Sequence, residues 1–170
     1  MTIVHSAALP RKEVTPYWVI TMTIDFSRLH EQNHRITELS NILSHLLGDR
    51  SFCDNTVTCE LFFRYVECVS EHLQATDDQP CKQLLEANNQ HSRNIAGLFK
   101  RGSRSINRMF EAYLEKWYDV ETKRLDIRDY KRFEAETRHL FQIVLERIED
   151  ETEQLYPSVR LVNGQSSNNA

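Results

Sequence analysis

Glu151 is the residue of this chain whose position most demands an explanation in chemistry. It stands in the stretch RIEDETEQLYP, Arg147 to Pro157. At about 100° of rotation per residue, Phe133, Leu140, Val144, Ile148 and Leu155 share one side of a helix, with Glu151 in their middle. Arg147, one turn earlier, sits at the edge of that side. A carboxylate turned into a core is costly unless it is paired or binds a metal. Other stretches offer inward polar residues by the same rotation: Asn33, His72 at the edge of its stripe, Thr76, and His91. His72, His91 and Glu151 have the composition of a two-His, one-carboxylate site, which suits mononuclear non-haem iron. Arg147 opposes that use, because a guanidinium stays protonated and offers no lone pair to a metal. A charge-assisted Arg147–Glu151 pair satisfies the carboxylate with no metal at all. The expectation is therefore no cofactor, with non-haem iron as the alternative if Arg147 swings out.

Other chemistry is sparse. The chain carries no nucleophile elbow, no phosphate-cradling glycine loop and no paired catalytic carboxylates, so an enzyme is not expected. His30, His34 and His45 fall on the side of their helix away from its apolar stripe. Arg93, Lys100, Arg104 and Arg108, with Arg101 nearby, form a basic face. Such a stripe is either a solvated surface or a docking face for an acidic partner or phosphate. Nucleic-acid contact through it is a lesser alternative, since the net charge of −4 gives no broad nucleic-acid footprint.

The elements that must carry these residues are helices. With 170 residues, one domain with a full core is expected, and 40% hydrophobic residues suffice to build it. Only four glycines and four prolines argue against a turn-rich β fold. Residues 1–15 read as a loose arm, and the β-branched and aromatic residues 17–22 as an extended segment along the helices. Helix 1 is expected over 25–47, ended by Gly48, and helix 2 over 57–77 after a polar loop. Asp77-Asp78-Gln79-Pro80 should break the chain. Helix 3 is expected over 80–118, with Leu84, Asn88, His91, Ile95, Leu98, Ile106, Met109, Tyr113 and Trp117 on its inner face and a kink at Gly102. Helix 4 is expected from the N-cap Asp126 to Tyr156, stopped by Pro157. The domain then spans 16–157, and 158–170 is a tail, disordered from Asn163. The cysteines Cys53, Cys59, Cys68 and Cys81 form no CxxC pair and read as reduced thiols. With no apolar run long enough for a membrane span and no secretory signal, a cytoplasmic protein is expected.

Four amphipathic helices with short connections make an up-and-down four-helix bundle, the setting in which carboxylate-bridged iron sites are built. The motifs HEQNHRITELSNIL, SEHLQATDD, NNQHSRNIAGLF and RIEDETEQLYP resemble the four helix motifs of the hemerythrin-like (HHE cation-binding) family over roughly residues 25–157. The resemblance implies a hemerythrin-like, all-α bundle with metal ligands at six positions. Three are lost: Asn33 stands for a His, Thr76 for a Glu and Arg147 for a His. His72, His91 and Glu151 match the family pattern. YVECVSEHL, LEANNQ and the Arg-containing RIEDE are also similar to segments of the regulator-of-sigma-D (AlgQ-like, anti-sigma) family. Here helix 2 lacks that family's Gly-His-Phe, having Glu71-His72-Leu73, and Leu155 is one residue out of its spacing. That second resemblance implies a metal-free bundle whose outer face binds another protein. A regulatory role through an unidentified protein partner is therefore expected, with a metal-dependent sensor of oxygen, NO or redox state as the alternative.

Overall fold

The structure, a computed structural model, describes residues 24–119 and 121–167. The expected arm and the extended segment 17–22 lie outside the described residues, as does the end of the tail, 168–170. The expected all-α class is observed. Four long helices carry the fold: α1 (Phe26–Leu47), α3 (Thr56–Thr76), α5 (Gln90–Trp117) and α6 (Tyr130–Asp150). Shorter helices α2 (Arg50–Cys53), α4 (Lys82–Glu86) and α7 (Tyr156–Ser167) join or extend them. A two-residue antiparallel pair, β1 (Tyr118–Asp119) with β2 (Arg124–Leu125), links α5 to α6. Among the described residues no helix is long and apolar enough to cross a membrane.

Side-chain caps mark most helix starts. Asp25 accepts from the Arg28 amide, Asn55 from Val57, Asn89 from Ser92 and Asp129 from Arg132, each supplying an acceptor to an otherwise orphaned backbone N–H. α1 packs against α3 and α6, and α5 against α6 and α3, so the four long helices close a ring. Two apolar clusters fill it. The larger includes Ile36, Leu43, Phe62, Tyr65, Phe133 and Phe141. The smaller gathers Leu29, Leu84, Ala96, Phe99, Leu155 and Val159, and ties α4 and α7 to the long helices.

Several boundaries differ from expectation, and the backbone gives the reasons. Pro80 does not break the chain; it sits inside a π-helical turn, Asp77–Cys81, that runs directly into α4. A wider turn relaxes the i−4 clash that expels proline from an α-helix interior. The true break comes at Ala87, which is extended, before Asn89 caps α5. The expected 80–118 helix is therefore two helices with independent phases. Asn88, His91 and Leu98 are exposed rather than inward, and α5 buries Ser92, Ala96, Phe99, Ser103, Ile106, Phe110, Tyr113 and Trp117. α5 is α-helical throughout, through Gly102. α6 is capped by Asp129, not Asp126. Pro157 does not stop the last helix either. A second π turn, Glu151–Leu155, precedes it, and the helix runs on without a break through Pro157 into α7, the wider turn again relaxing the clash at the proline. Part of the expected tail is thus helical as far as Ser167.

Candidate functional site

The polar residues lie at the seam between the two apolar clusters. On α1, Asn33 falls between Leu29 of the small cluster and Ile36 of the large one. On α5, Ser103 falls between Phe99 and Ile106. On the last helical stretch, Arg147 and Glu151 fall between Val144 and Leu155. Each helix changes from one core to the other through a polar turn, and these turns meet in one layer.

Glu151 is the centre of that layer, with 0% of its surface exposed. Its Oε1 accepts from Arg147 Nε at 2.6 Å. Its Oε2 contacts His72 Nε2 at 2.7 Å and accepts from the Tyr156 hydroxyl at 3.0 Å. Burial by itself would raise the Glu151 carboxyl, but the imidazole of His72 and the guanidinium of Arg147 outweigh it and hold the pKa below the ordinary 4.5. Arg147 is equally committed. Its Nη1 donates to the Phe99 carbonyl at 2.8 Å, its Nη2 to Ser103 Oγ at 3.1 Å, and its guanidinium lies over the Phe99 ring at 4.5 Å. Ser103 reaches on to Asp77 Oδ1 at 3.0 Å. Burial pushes the Asp77 carboxyl up, and Ser103, Lys100 and Arg147 offset part of that rise. On the other side His72 Nδ1 contacts Gln32 Oε1 at 3.2 Å, and Asn33 donates weakly to Tyr156 at 3.4 Å. The network runs from Gln32 on α1 through α3 and the second π turn to α5.

Both π turns begin at this layer, one directly after Thr76 and the other at Glu151. The extra residue that a π turn carries re-aims the side chains following it. It sets Tyr156, five residues after Glu151, back onto the same carboxylate. Gly102 has a role here that differs from a kink. A Cβ at this position would lie 2.7 Å from Arg147 Nη1, so glycine leaves the space the guanidinium occupies.

The structure thus brings together His72, Glu151, Arg147 and Asn33, and buries Thr76 one turn beyond His72. Thr76 makes no side-chain hydrogen bond. His91 is corrected: it is exposed in the first turn of α5 and does not join the layer. Among the described residues no three His, Cys, Asp or Glu side chains gather closely enough to hold a metal ion. The residues of the layer do not fit non-haem iron for a positive reason. Both Glu151 oxygens are hydrogen-bonded, and a permanent cation stands 2.6 Å from one of them.

The expected basic face is not uniform. Arg93 folds back, donating to the Ala87 carbonyl at 2.8 Å and to Gln90 Oε1 at 3.2 Å. Lys100 is half-buried, while Arg104 and Arg108 are exposed. Tyr156, Ser103, Gln32 and Asp77 are members of the layer that residue spacing did not mark. Ser103 was missed because the predicted inner face ran through Leu98 rather than Phe99, the buried residue four positions before it. Tyr156 was missed because a uniform rotation of about 100° per residue does not allow for the π turn before it.

Tyr156 tests the geometry. Burial, with the Glu151 charge, raises its phenol well above the ordinary range, so it remains a donor. Tyr156→Phe removes one donor to a buried carboxylate and should cost about 2 kcal/mol, the range for a hydrogen bond to a charged group, in chemical denaturation. A change below about 0.5 kcal/mol, the scale of a neutral surface substitution, would mean that Glu151 does not need this donor.

Comparison with protein-family models, with curated proteins and with solved structures finds no match for this chain.

Proposed function

We propose that this chain is a cytoplasmic regulatory protein that works by binding another protein, without catalysis. Its architecture, on this reading, is an up-and-down four-helix bundle of hemerythrin-like type, in which an arginine has taken the place of the metal. The ring of four long helices supports that architecture. The observation that carries the functional reading is the Arg147–Glu151 pair, buried at 7% and 0% side-chain exposure with 2.6 Å between Nε and Oε1. An ion pair of this kind satisfies the acid permanently, and the layer becomes a structural element rather than a reaction centre. The absence from the sequence of a nucleophile elbow, a phosphate loop and paired catalytic carboxylates supports the same reading.

One observation favours the sensor alternative. His72 Nε2 and Glu151 Oε2, two ligating groups, touch at 2.7 Å, so the start of a metal site is present if Arg147 leaves. Metal content separates the two readings. Protein purified without chelator and without a metal-binding tag is expected to carry no stoichiometric metal and to melt unchanged after chelation. One or two irons per chain, lost in His72→Ala, would establish the sensor and end the metal-free reading.

A further inference from the structure

A groove of about 470 Å³ runs between α5 and α6 on the outer side of the polar layer. Leu98, Ile106, Met109 and Ile143 supply its apolar wall. Leu98 stands at its lip with 58% of its surface exposed, more than any other large hydrophobic residue described except Leu161 and Val57, which lie on other helices. The two edges carry opposite charge. On the α6 side, Glu146 and Asp150 line the groove, with exposed Glu149 and Glu153 further out. On the α5 side, Arg101 and Arg108 stand one turn either side of Ser105, a lining residue, and both are exposed. Among the described residues, none of Arg101, Arg108, Glu146 and Asp150 has an ion-pair partner within 4.0 Å. These edge charges are therefore not paired with one another within the chain.

We propose that this face docks a second copy of the same chain. A face with an apolar strip, a basic edge and an acidic edge is complementary to itself. A two-fold axis running along the groove lays the Arg101–Arg108 edge of one copy on the Glu146–Asp150 edge of the other, twice over. It also sets Leu98 of each copy towards the apolar strip of its mate. Knob, groove and both charge signs lie on one surface, as an isologous interface requires. A different partner would need only one of these edges. The inference is independent of whether the polar layer holds a metal.

The test is analytical ultracentrifugation of the full chain across a wide concentration range at low and high salt. A dimer is expected, weakened by salt because its edge charges are solvent-accessible. Leu98→Arg, at an exposed position that leaves the fold intact, should give a monomer that still melts cooperatively, at a temperature that no longer depends on protein concentration. Charge reversal makes the test specific. Arg101→Glu/Arg108→Glu and Glu146→Arg/Asp150→Arg each place like charges at both edges and should weaken self-association about a hundredfold or more. Mixed together, these two variants should form a heterodimer, since every edge contact is again between opposite charges. A chain that stays monomeric at all concentrations overturns the proposal. So does a dimer that these variants leave unchanged, or one whose reversed forms fail to rescue each other. A different protein seated in the groove of a monomeric chain would overturn it as well.

Discussion

Arg147→Met should lose about 3–5 kcal/mol of folding stability at neutral pH, the cost of removing one partner from a buried ion pair. Methionine keeps an apolar stem against Phe99, so the loss reports the charge and not a cavity. Arg147 donates to Glu151, to the Phe99 carbonyl and to Ser103. Without it Glu151 Oε1 has no donor in a site with no exposure to water. The same physics predicts a reversal. His72→Leu/Arg147→Met/Glu151→Met removes the charges together, and should recover most of the loss or exceed the parent, because apolar replacements of a buried ion pair are often neutral or stabilising. Urea denaturation of the parent, single and triple variants measures both effects. A single variant within about 1 kcal/mol of the parent would show that Glu151 finds another donor, and the ion pair would no longer explain the layer.

How far the fold was legible in the sequence depended on helical phase. α1 and α3 have unbroken phase, and their inward sides were readable: Leu29, Ile36, Leu39 and Leu43 on one, Phe62, Tyr65, Val69 and Leu73 on the other, all buried. The phase failed where the backbone changes its period. The π turn at Asp77–Cys81 carries the chain past Pro80, and the extended Ala87 resets the rotation before α5. A stripe drawn through Leu84, His91 and Leu98 crosses that reset. In the first half of α5 it selects exposed His91 and Leu98 instead of buried Ser92, Ala96 and Phe99, although its later members Ile106, Tyr113 and Trp117 are buried as expected. His91 was drawn inward for this reason alone.

The site was legible to the extent that it lies upstream of the second π turn. Arg147 and Glu151 are four residues apart in continuous helical spacing, so an inward pair at the end of α6 could be anticipated. His72 and Thr76 share that advantage on α3. Tyr156 depends on the five-residue step that Glu151–Leu155 introduces, and no local residue pattern announces a π turn. Gly102 was visible as a helix-weakening residue, but its reason lies across space, in Arg147 Nη1. A glycine in mid-helix signals a bend or a close approach, and only the neighbouring helix decides which.

Acid should destabilise the parent more than Glu151→Gln, and this difference isolates the charge on Glu151. His72 and Arg147 hold its folded pKa below the ordinary 4.5 that the unfolded chain regains. Above the unfolded value the carboxylate is ionised in both states, and its full contribution to stability is present. As pH falls below that value the unfolded chain binds the proton first, and stability declines until the pH passes the depressed folded value. Glutamine has no such proton. At neutral pH the variant should be the weaker protein by about 3 kcal/mol, since Arg147 then keeps a buried charge without a counter-ion. As pH falls through the unfolded value towards the depressed folded one, the two stabilities should converge. A residual slope will remain in both, because Glu136 titrates low as well. Although its burial acts upward, hydrogen bonds from Lys116, Trp117 and Arg132 bring it down to about 2. A parent that instead gains stability relative to the variant as pH falls from about 7 towards 4.5 would mean that Glu151 is protonated in the folded state at neutral pH. The carboxyl would then be a neutral donor or acceptor, Arg147 would have no anion to stand on, and a polar layer held by hydrogen bonds alone would replace the ion pair.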